Sequence, residues 1–177
     1  MAAAQKGTTD MTQNGEATTE LLVLDPRRDG WAALVAEAGP GTAVLVLDAR
    51  RDGLTEVLEM LRGRPAFRRI RIADAGGPGR LLLGSLTLDM PAMAAREAEL
   101  ATLGEALAPD GVLLLSGGGG DSSAAGGRFA AALARLMGRD VVTARDWMPR
   151  GIEALAGMPA AFMTDAVTPA TWRAGPA

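Results

Sequence analysis

Short apolar runs that do not alternate with polar residues recur along this chain, and a turn signal and a stretch of helical spacing follow each run. The first two are "ELLVLD" from Glu20 and "TAVLVLD" from Thr42. Runs of this kind are typical of strands buried on both faces of a parallel sheet, with helices crossing over those faces. The pattern predicts an α/β fold, a three-layer sandwich around a mostly parallel sheet.

The first two strand–loop–helix units carry similar loops. "VLDPRRDG" begins at Val23, and "VLDARRDG" begins at Val46. A solenoid needs roughly three or more copies of its repeat, and this sequence has only a pair. We therefore interpret the repeat as two successive units, whose predicted helices follow as "WAALVAEAG" and "LTEVLEMLRG".

Further strands and helices are predicted downstream. Asp89 as a cap and Pro91 in the first turn predict the start of a helix. Apolar residues at helical spacing continue that helix towards "APDG": Met93, Leu100, Leu103 and Leu107. The remaining predicted elements are strands at "RRIRIAD", "VLLLS" and "DVVTA", a small hairpin or extended excursion around Gly84, and a helix from about Ser122 to Met137.

The length of the chain suits one domain with two flanking segments. Residues 1–19 are polar and aperiodic, which predicts a flexible tail; residues 20–146 form the α/β domain; residues 147–177 form an extension that packs on the domain or trails it. No window reaches the roughly 18 apolar residues of a membrane span, and the tail lacks the apolar stretch of a signal peptide. We expect a cytoplasmic location, with secretion by a route without a signal peptide as the alternative.

Three residue types are absent from the whole sequence: His, Cys and Tyr. Their absence excludes Ser-His-Asp and Cys-His catalysis and metal sites built from imidazole or thiolate. The net charge of −3 gives no electrostatic reason to expect a nucleic acid or an anionic membrane as partner. The chemistry that remains uses carboxylates, hydroxyls, arginine and backbone groups, and no cofactor is predicted.

A glycine run follows the predicted fourth strand, at the edge where parallel sheets bind ligands. Ser116 precedes "GGGGD", which ends at Asp121 before a predicted helix. Such a loop favours an anion through its N–H groups and the helix dipole. However, the run lacks the Gly-Lys-Ser/Thr ending of a P-loop, and Asp121 adds negative charge. We favour a structural loop in which Ser122 or Ser123 caps the helix, with an anion cradle as the alternative.

Aspartates near the strand ends offer another interpretation of the same edge: Asp25, Asp48, Asp74 and Asp121. Carboxylate oxygens are the ligands that Mg²⁺ and Ca²⁺ prefer, so a cluster of these side chains predicts a metal-assisted hydrolase or a phosphoryl-transfer protein. The commoner use of a strand-end aspartate is to end the strand and begin a turn. We keep the metal site as the alternative to that structural role.

Four segments follow one another without large gaps over about residues 21–144: "VLDPRRDGWAALV", "TAVLVLDARRDGLTEVLEML", "GGPGRLLLGSLTLDMPAMAAREAELATLGEALAPDG" and "GGRFAAALARLMGRDV". In this succession the chain resembles the DUF4347 family, domains near the amino terminus of very large bacterial surface and adhesin-like proteins. The resemblance implies a caspase- or flavodoxin-like fold. In that family the third strand ends in His-Gly and the fourth in Tyr-Gly-Cys, similar to clan CD cysteine peptidases.

Every reactive side chain of that pattern is missing here. Carried onto this sequence, the family's His-Gly falls on Ala75 and Gly76, and its Tyr-Gly-Cys falls on Ser116, Gly117 and Gly118. The resemblance therefore predicts a pseudoenzyme, a catalytically inactive relative that acts as a binding or assembly module for a protein or peptide partner, with its oligomeric state left open. Its candidate binding residues are Asp74, Gly76, Ser116, Gly117, Gly119, Gly120, Asp121 and Ser122.

Overall fold

The computed structural model describes residues 19–117, 123–144 and 170–172. Within them, six strands form one sheet: β1 (Glu20–Leu24), β2 (Thr42–Val46), β3 (Phe67–Ala73), β6 (Leu107–Ser116), β7 (Asp140–Ala144) and β8 (Ala170–Trp172). Two short strands pair separately as an antiparallel hairpin, β4 (Leu81–Leu83) and β5 (Leu86–Leu88). The helices of the same residues are α1 (Trp31–Ala36), α2 (Gly53–Leu61), α3 (Met90–Ala95), α4 (Glu97–Glu105) and α5 (Ala124–Met137).

The main sheet has the strand order β2-β1-β3-β6-β7-β8. Along this order, the neighbouring strands β2, β1, β3, β6 and β7 are parallel to one another. β8 joins β7 in the antiparallel direction. Helices lie between successive parallel strands in the chain, as crossover connections require. The predicted α/β fold with a mostly parallel sheet is confirmed.

Helices cover both faces of the sheet, because β1 alternates its side chains between two apolar layers. Leu21 and Val23 belong to the larger core cluster, to which α2, α4 and α5 also contribute. Leu22 and Leu24 belong to a smaller cluster with Leu34 of α1 on the opposite face. The β1 side chains in both layers are fully buried, as expected of a central strand in a parallel sheet. The arrangement is a three-layer sandwich.

Several local predictions are confirmed by hydrogen bonds and backbone conformation. Gly84 lies at the turn of the β4–β5 hairpin with a φ of 59°. Asp89 caps α3 by accepting from the N–H of Ala92 at 2.9 Å. Ser123 caps α5 by accepting from the N–H of Gly126 at 3.1 Å. These polar side chains satisfy helix N–H groups that have no partner within the helix.

The prediction of a single helix from Asp89 to about Leu107 is wrong in two respects. The segment forms two helices, α3 and α4, which meet at Arg96, and the Arg96 guanidinium donates to Asp52 and Glu99 at this junction. Leu107 begins β6 instead, where it pairs with Phe67 of β3. A buried leucine fits the apolar side of a helix and the interior of a strand equally well, so its spacing alone could not distinguish them.

The edge strand β8 has no counterpart in the sequence-based prediction. Its residues pair with β7, with Ala170 opposite Thr143 and Trp172 opposite Val141. A strand of three residues is too short for a hydrophobic period to show.

Parts of the two flanking segments lie outside the described residues. These are residues 1–18 of the predicted tail and most of the predicted extension from 147 onwards. Across the described ranges, no helix is both long enough and apolar enough to cross a membrane.

Candidate functional site

Strand-end aspartates at the carboxyl edge of the sheet each close a turn with the backbone two residues further on. The N–H donors and distances are, in chain order, Arg27 to Asp25 at 2.9 Å, Arg50 to Asp48 at 2.8 Å and Gly76 to Asp74 at 2.7 Å. This is the local turn that an aspartate commonly forms after a strand. The structural role expected of these residues is therefore present after β1, β2 and β3.

Asp25 also holds the β4–β5 hairpin against the end of β1. Its side chain is buried, and its Oδ2 accepts from the N–H of Gly84 at 3.0 Å and from the Arg27 guanidinium at 2.6 Å. Arg27 in turn donates to the carbonyl of Gly84. The second loop of the repeat contacts the same turn, because Ser85 donates its N–H to the carbonyl of Arg51 at 2.7 Å. The hairpin turn is thus held by both loops of the repeat.

The charge of Asp25 is compensated inside this arrangement. Burial alone would raise the pKa of its carboxyl group, but the Arg27 guanidinium and the N–H groups of Arg27 and Gly84 hold that pKa below the ordinary value of 3.8. Asp25 is therefore ionised at neutral pH. Its contribution to stability is present above the unfolded-state pKa and is lost as the pH falls through the lower folded-state value.

Asp74 lies at the end of β3, beside the end of β6. Its side chain is 2% exposed, and its Oδ2 accepts from the N–H groups of Gly76 at 2.7 Å and Leu82 at 3.2 Å. Its Oδ1 has no hydrogen-bond partner within the described ranges, and a side chain at Gly117 would collide with it. Burial raises the pKa of Asp74, against the lowering effects of the N–H groups and of Arg28.

The Asp74→Asn variant tests the protonation of this buried side chain. A raised folded-state pKa means that the contribution of Asp74 to stability is greatest below the unfolded value of 3.8 and is lost as the pH rises. Asparagine keeps an oxygen for the N–H groups of Gly76 and Leu82 and carries no charge. We expect the free energy of unfolding of the variant, relative to the parent chain, to rise between about pH 4 and pH 7 in urea titrations. A relative stability that falls over this range would show that the pKa of Asp74 is lowered.

Arg28 connects the ends of three neighbouring strands. It follows β1, and its guanidinium donates to the carbonyl of Ser116 in β6 at 3.0 Å and to that of Asp74 after β3 at 3.3 Å. Strand-end carbonyls have no further ladder partner, so the guanidinium satisfies groups that would otherwise need water. Sequence reasoning did not single out Arg28. The nearest signal was its place in the repeated "RRDG" loop, which does not show where the side chain goes.

The structure places the ends of β3 and β6 side by side. Ala73 is opposite Ser116 in the parallel register, so the residues that follow leave the sheet at neighbouring points. Ala75 is half-buried there, and the buried Ser116 hydroxyl donates to the carbonyl of Ile72 at 3.3 Å. The family resemblance implies that Ala75 and Gly118 lie close together at these strand ends. Gly118 lies outside the described residues, so this proximity stays a prediction.

The predicted binding loop is described only at its two ends, Gly117 and Ser123. The candidate residues between them lie outside the described part of the chain: Gly119, Gly120, Asp121 and Ser122. The structural loop and the anion cradle therefore both stay predictions. Of the two serines predicted as helix caps, Ser123 is the one that caps α5.

The candidate metal ligands do not meet as a ligand set in the described part of the chain. No group of three or more side chains suited to a metal ion occurs among these residues. Asp25 is bonded to Arg27 and Gly84, Asp48 is exposed, and Asp74 accepts from two N–H groups. Asp121 lies outside the described residues.

The fold and this edge define a class of protein, a mostly parallel α/β domain. Its strand-end loops contain carboxylates, a guanidinium and backbone groups, and the chain has no imidazole and no thiol. One protein-family model matches residues 21–157, and its description is a domain of unknown function, DUF4347. The chain belongs to this family, and the predicted family is confirmed. No curated protein and no solved structure matches the chain.

Proposed function

We propose that this chain is a non-catalytic member of its family, a binding or assembly module that accepts a peptide segment at the carboxyl ends of β3 and β6. One observation carries this function. The strand ends are held in register by Arg28, Asp74 and Ser116, while the neighbouring positions carry side chains without reactive groups. A scaffold without a thiol or an imidazole at its strand ends suits recognition better than nucleophilic catalysis.

Peptidase chemistry of the caspase-like kind lacks its chemical groups in this chain. The sequence contains no thiol and no imidazole, and the positions that resemble the family's His and Cys are Ala75 and Gly118. The buried carboxylates at this edge are also engaged, since Asp25 is paired with Arg27 and Asp74 closes a turn. Oδ1 of Asp74 has no partner among the described residues, but it is buried against Gly117.

The residues at this edge favour recognition through the backbone. Ala75, Gly76, Gly77 and Gly117 are all half-buried and carry a methyl group or no side chain. A bound segment would therefore meet the main chain, as extended peptides do in many recognition domains. The N–H of Gly76 and the C=O of Gly77 are already bonded to Asp74 and to the N–H of Arg80, so the contacts would come from the other backbone groups. Arg28 beneath these residues fixes the spacing of the strand ends and keeps the edge rigid.

Selection of binders from a random peptide display library, followed by Ala75→Trp, tests this site. Tryptophan at a half-buried position would fill the space between the two strand ends, so we expect affinity to fall about tenfold or more. Ala108→Trp is the matched control, since Ala108 is also half-buried but lies near the amino end of β6. The same peptides are incubated with the protein and analysed by mass spectrometry, and we expect no cleavage.

Two outcomes would contradict this function. Binding that survives Ala75→Trp and is lost in Ala108→Trp would place the peptide site at the other end of the sheet. Peptide cleavage that disappears in Asp74→Asn would show that the carboxylate performs chemistry and that the chain is an enzyme.

A further inference from the structure

β2 ends the main sheet, and in the described part of the chain its outer side has no strand partner. On its inner side, Leu47 donates to the carbonyl of Leu24 at 2.9 Å, and the carbonyl of Gly41 accepts from Glu20 at 3.3 Å. Successive residues of a strand direct their backbone groups alternately to the two sides. Odd-numbered residues of this strand therefore face β1, and even-numbered residues face outwards.

The outward backbone groups belong to Thr42, Val44 and Val46. The N–H of Thr42 bonds the carbonyl of Gly39 in the preceding turn at 3.2 Å, which agrees with its outward direction. The edge consequently offers the N–H and C=O groups of Val44 and Val46 and the C=O of Thr42. These are the groups through which another strand can extend a sheet.

The side chains of this edge carry no charge. The strand reads "TAVLV", without a charged residue or a proline, although natural edge strands commonly contain one or the other. The first four residues are partly buried, and Val46 is exposed at 39%. On one sheet face Val44 packs against the buried cluster that contains Leu22, Leu24 and Leu34. Among the described residues, this edge is therefore apolar and without a strand partner.

We propose that two copies of this chain pair through β2, antiparallel, about a two-fold axis at Val44. In this register Val44 lies opposite Val44 of the second copy, and the two exchange N–H···O=C bonds. The N–H of Val46 then donates to the carbonyl of Thr42 across the axis. This register makes the two sheets continuous and satisfies the outward groups except the C=O of Val46, because the N–H of Thr42 that would face it bonds Gly39.

The partner is a second copy because the strand complements itself. About this axis Ala43 lies opposite Leu45, a small residue against a large one, and Thr42 lies opposite Val46, both β-branched. Antiparallel cross-strand pairs of this kind are favourable, whereas like charges facing one another would oppose association. A two-fold axis places no like charges opposite one another within this strand.

Sedimentation equilibrium of the full chain over a range of concentrations tests the proposed pairing through β2. We expect the mass to approach twice 18.2 kDa for the parent chain and to return to 18.2 kDa for Val46→Pro. Proline removes an outward N–H that β1 does not use, so the fold is retained. Val46→Thr is the matched control, because it keeps the N–H and the β-branched shape, and it should still form dimers.

Amide exchange followed by NMR gives an independent readout that needs no variant. The N–H groups of Ala43, Leu45 and Leu47 face β1 and should be protected at every concentration. Those of Val44 and Val46 should gain protection as the concentration rises into the dimeric range. A chain that stays monomeric, a dimer that persists in Val46→Pro, or Val44 and Val46 amides whose exchange ignores concentration would each overturn the proposal.

Discussion

Replacing Asp25 by alanine is expected to lower the free energy of unfolding by about 2–4 kcal/mol. The variant leaves the N–H of Gly84 without its acceptor and leaves the Arg27 guanidinium beside a buried site with no counter-charge. It also removes the side chain that closes the turn after β1. Urea unfolding at neutral pH measures the loss, because Asp25 is ionised there.

Asp48→Ala is the matched control, because Asp48 occupies the same position in the second copy of the repeat. Asp48 is exposed, and its carboxylate closes the local turn with Arg50. We expect a loss of about 0.5–1 kcal/mol, as is usual when a single hydrogen bond is removed. Equal losses in the two variants would mean that the contact with the hairpin adds nothing beyond the turn itself.

Replacing Gly84 by alanine is expected to cost about 2–5 kcal/mol. Gly84 has a φ of 59°, a conformation that disfavours any residue with a Cβ. An added Cβ would also meet the carbonyl oxygens of Asp48 and Arg51 in the second loop. The backbone of the hairpin turn or of that loop would have to move, and the bond from Ser85 to Arg51 would weaken.

Gly63→Ala separates backbone strain from contact with the loop. Gly63 has a φ of 72°, and an added Cβ there would meet nothing within 4 Å. We expect this variant to lose about 1 kcal/mol, which is the cost of the conformation alone. Thermal unfolding of both variants compares them directly, and equal losses would show that the hairpin turn is not tightly enclosed.

The sheet could be predicted from the sequence because its strands are continuous apolar runs. A run such as "ELLVLD" has no polar face, so burial on both sides is the arrangement that removes its side chains from water. The caps Asp89 and Ser123 were also recognisable, since their chemistry is local. Each of these signals lies within a few residues of the feature that it predicts.

The destinations of long side chains could not be predicted, and the two copies of the "RRDG" loop show why. Arg28 and Arg51 hold equivalent positions, yet Arg28 reaches the ends of β3 and β6 while Arg51 pairs with Glu56 and Glu59 of α2. β1 lies inside the sheet, next to β3, whereas β2 lies at its end. The difference comes from strand order, which a local sequence pattern does not contain.

The contacts of Arg28 also bear on the order in which the chain can complete its fold. The guanidinium and the Ser116 carbonyl are separated by 88 residues, and Asp25 and the Gly84 N–H by 59. During synthesis from the amino terminus, β1 and β2 can pair long before either contact exists, since contacts distant in sequence need the whole intervening chain. A nascent chain that has not yet emerged as far as Ser116 therefore lacks the Arg28 contact at the carboxyl edge of its sheet. That contact can form only after β6 has been synthesised.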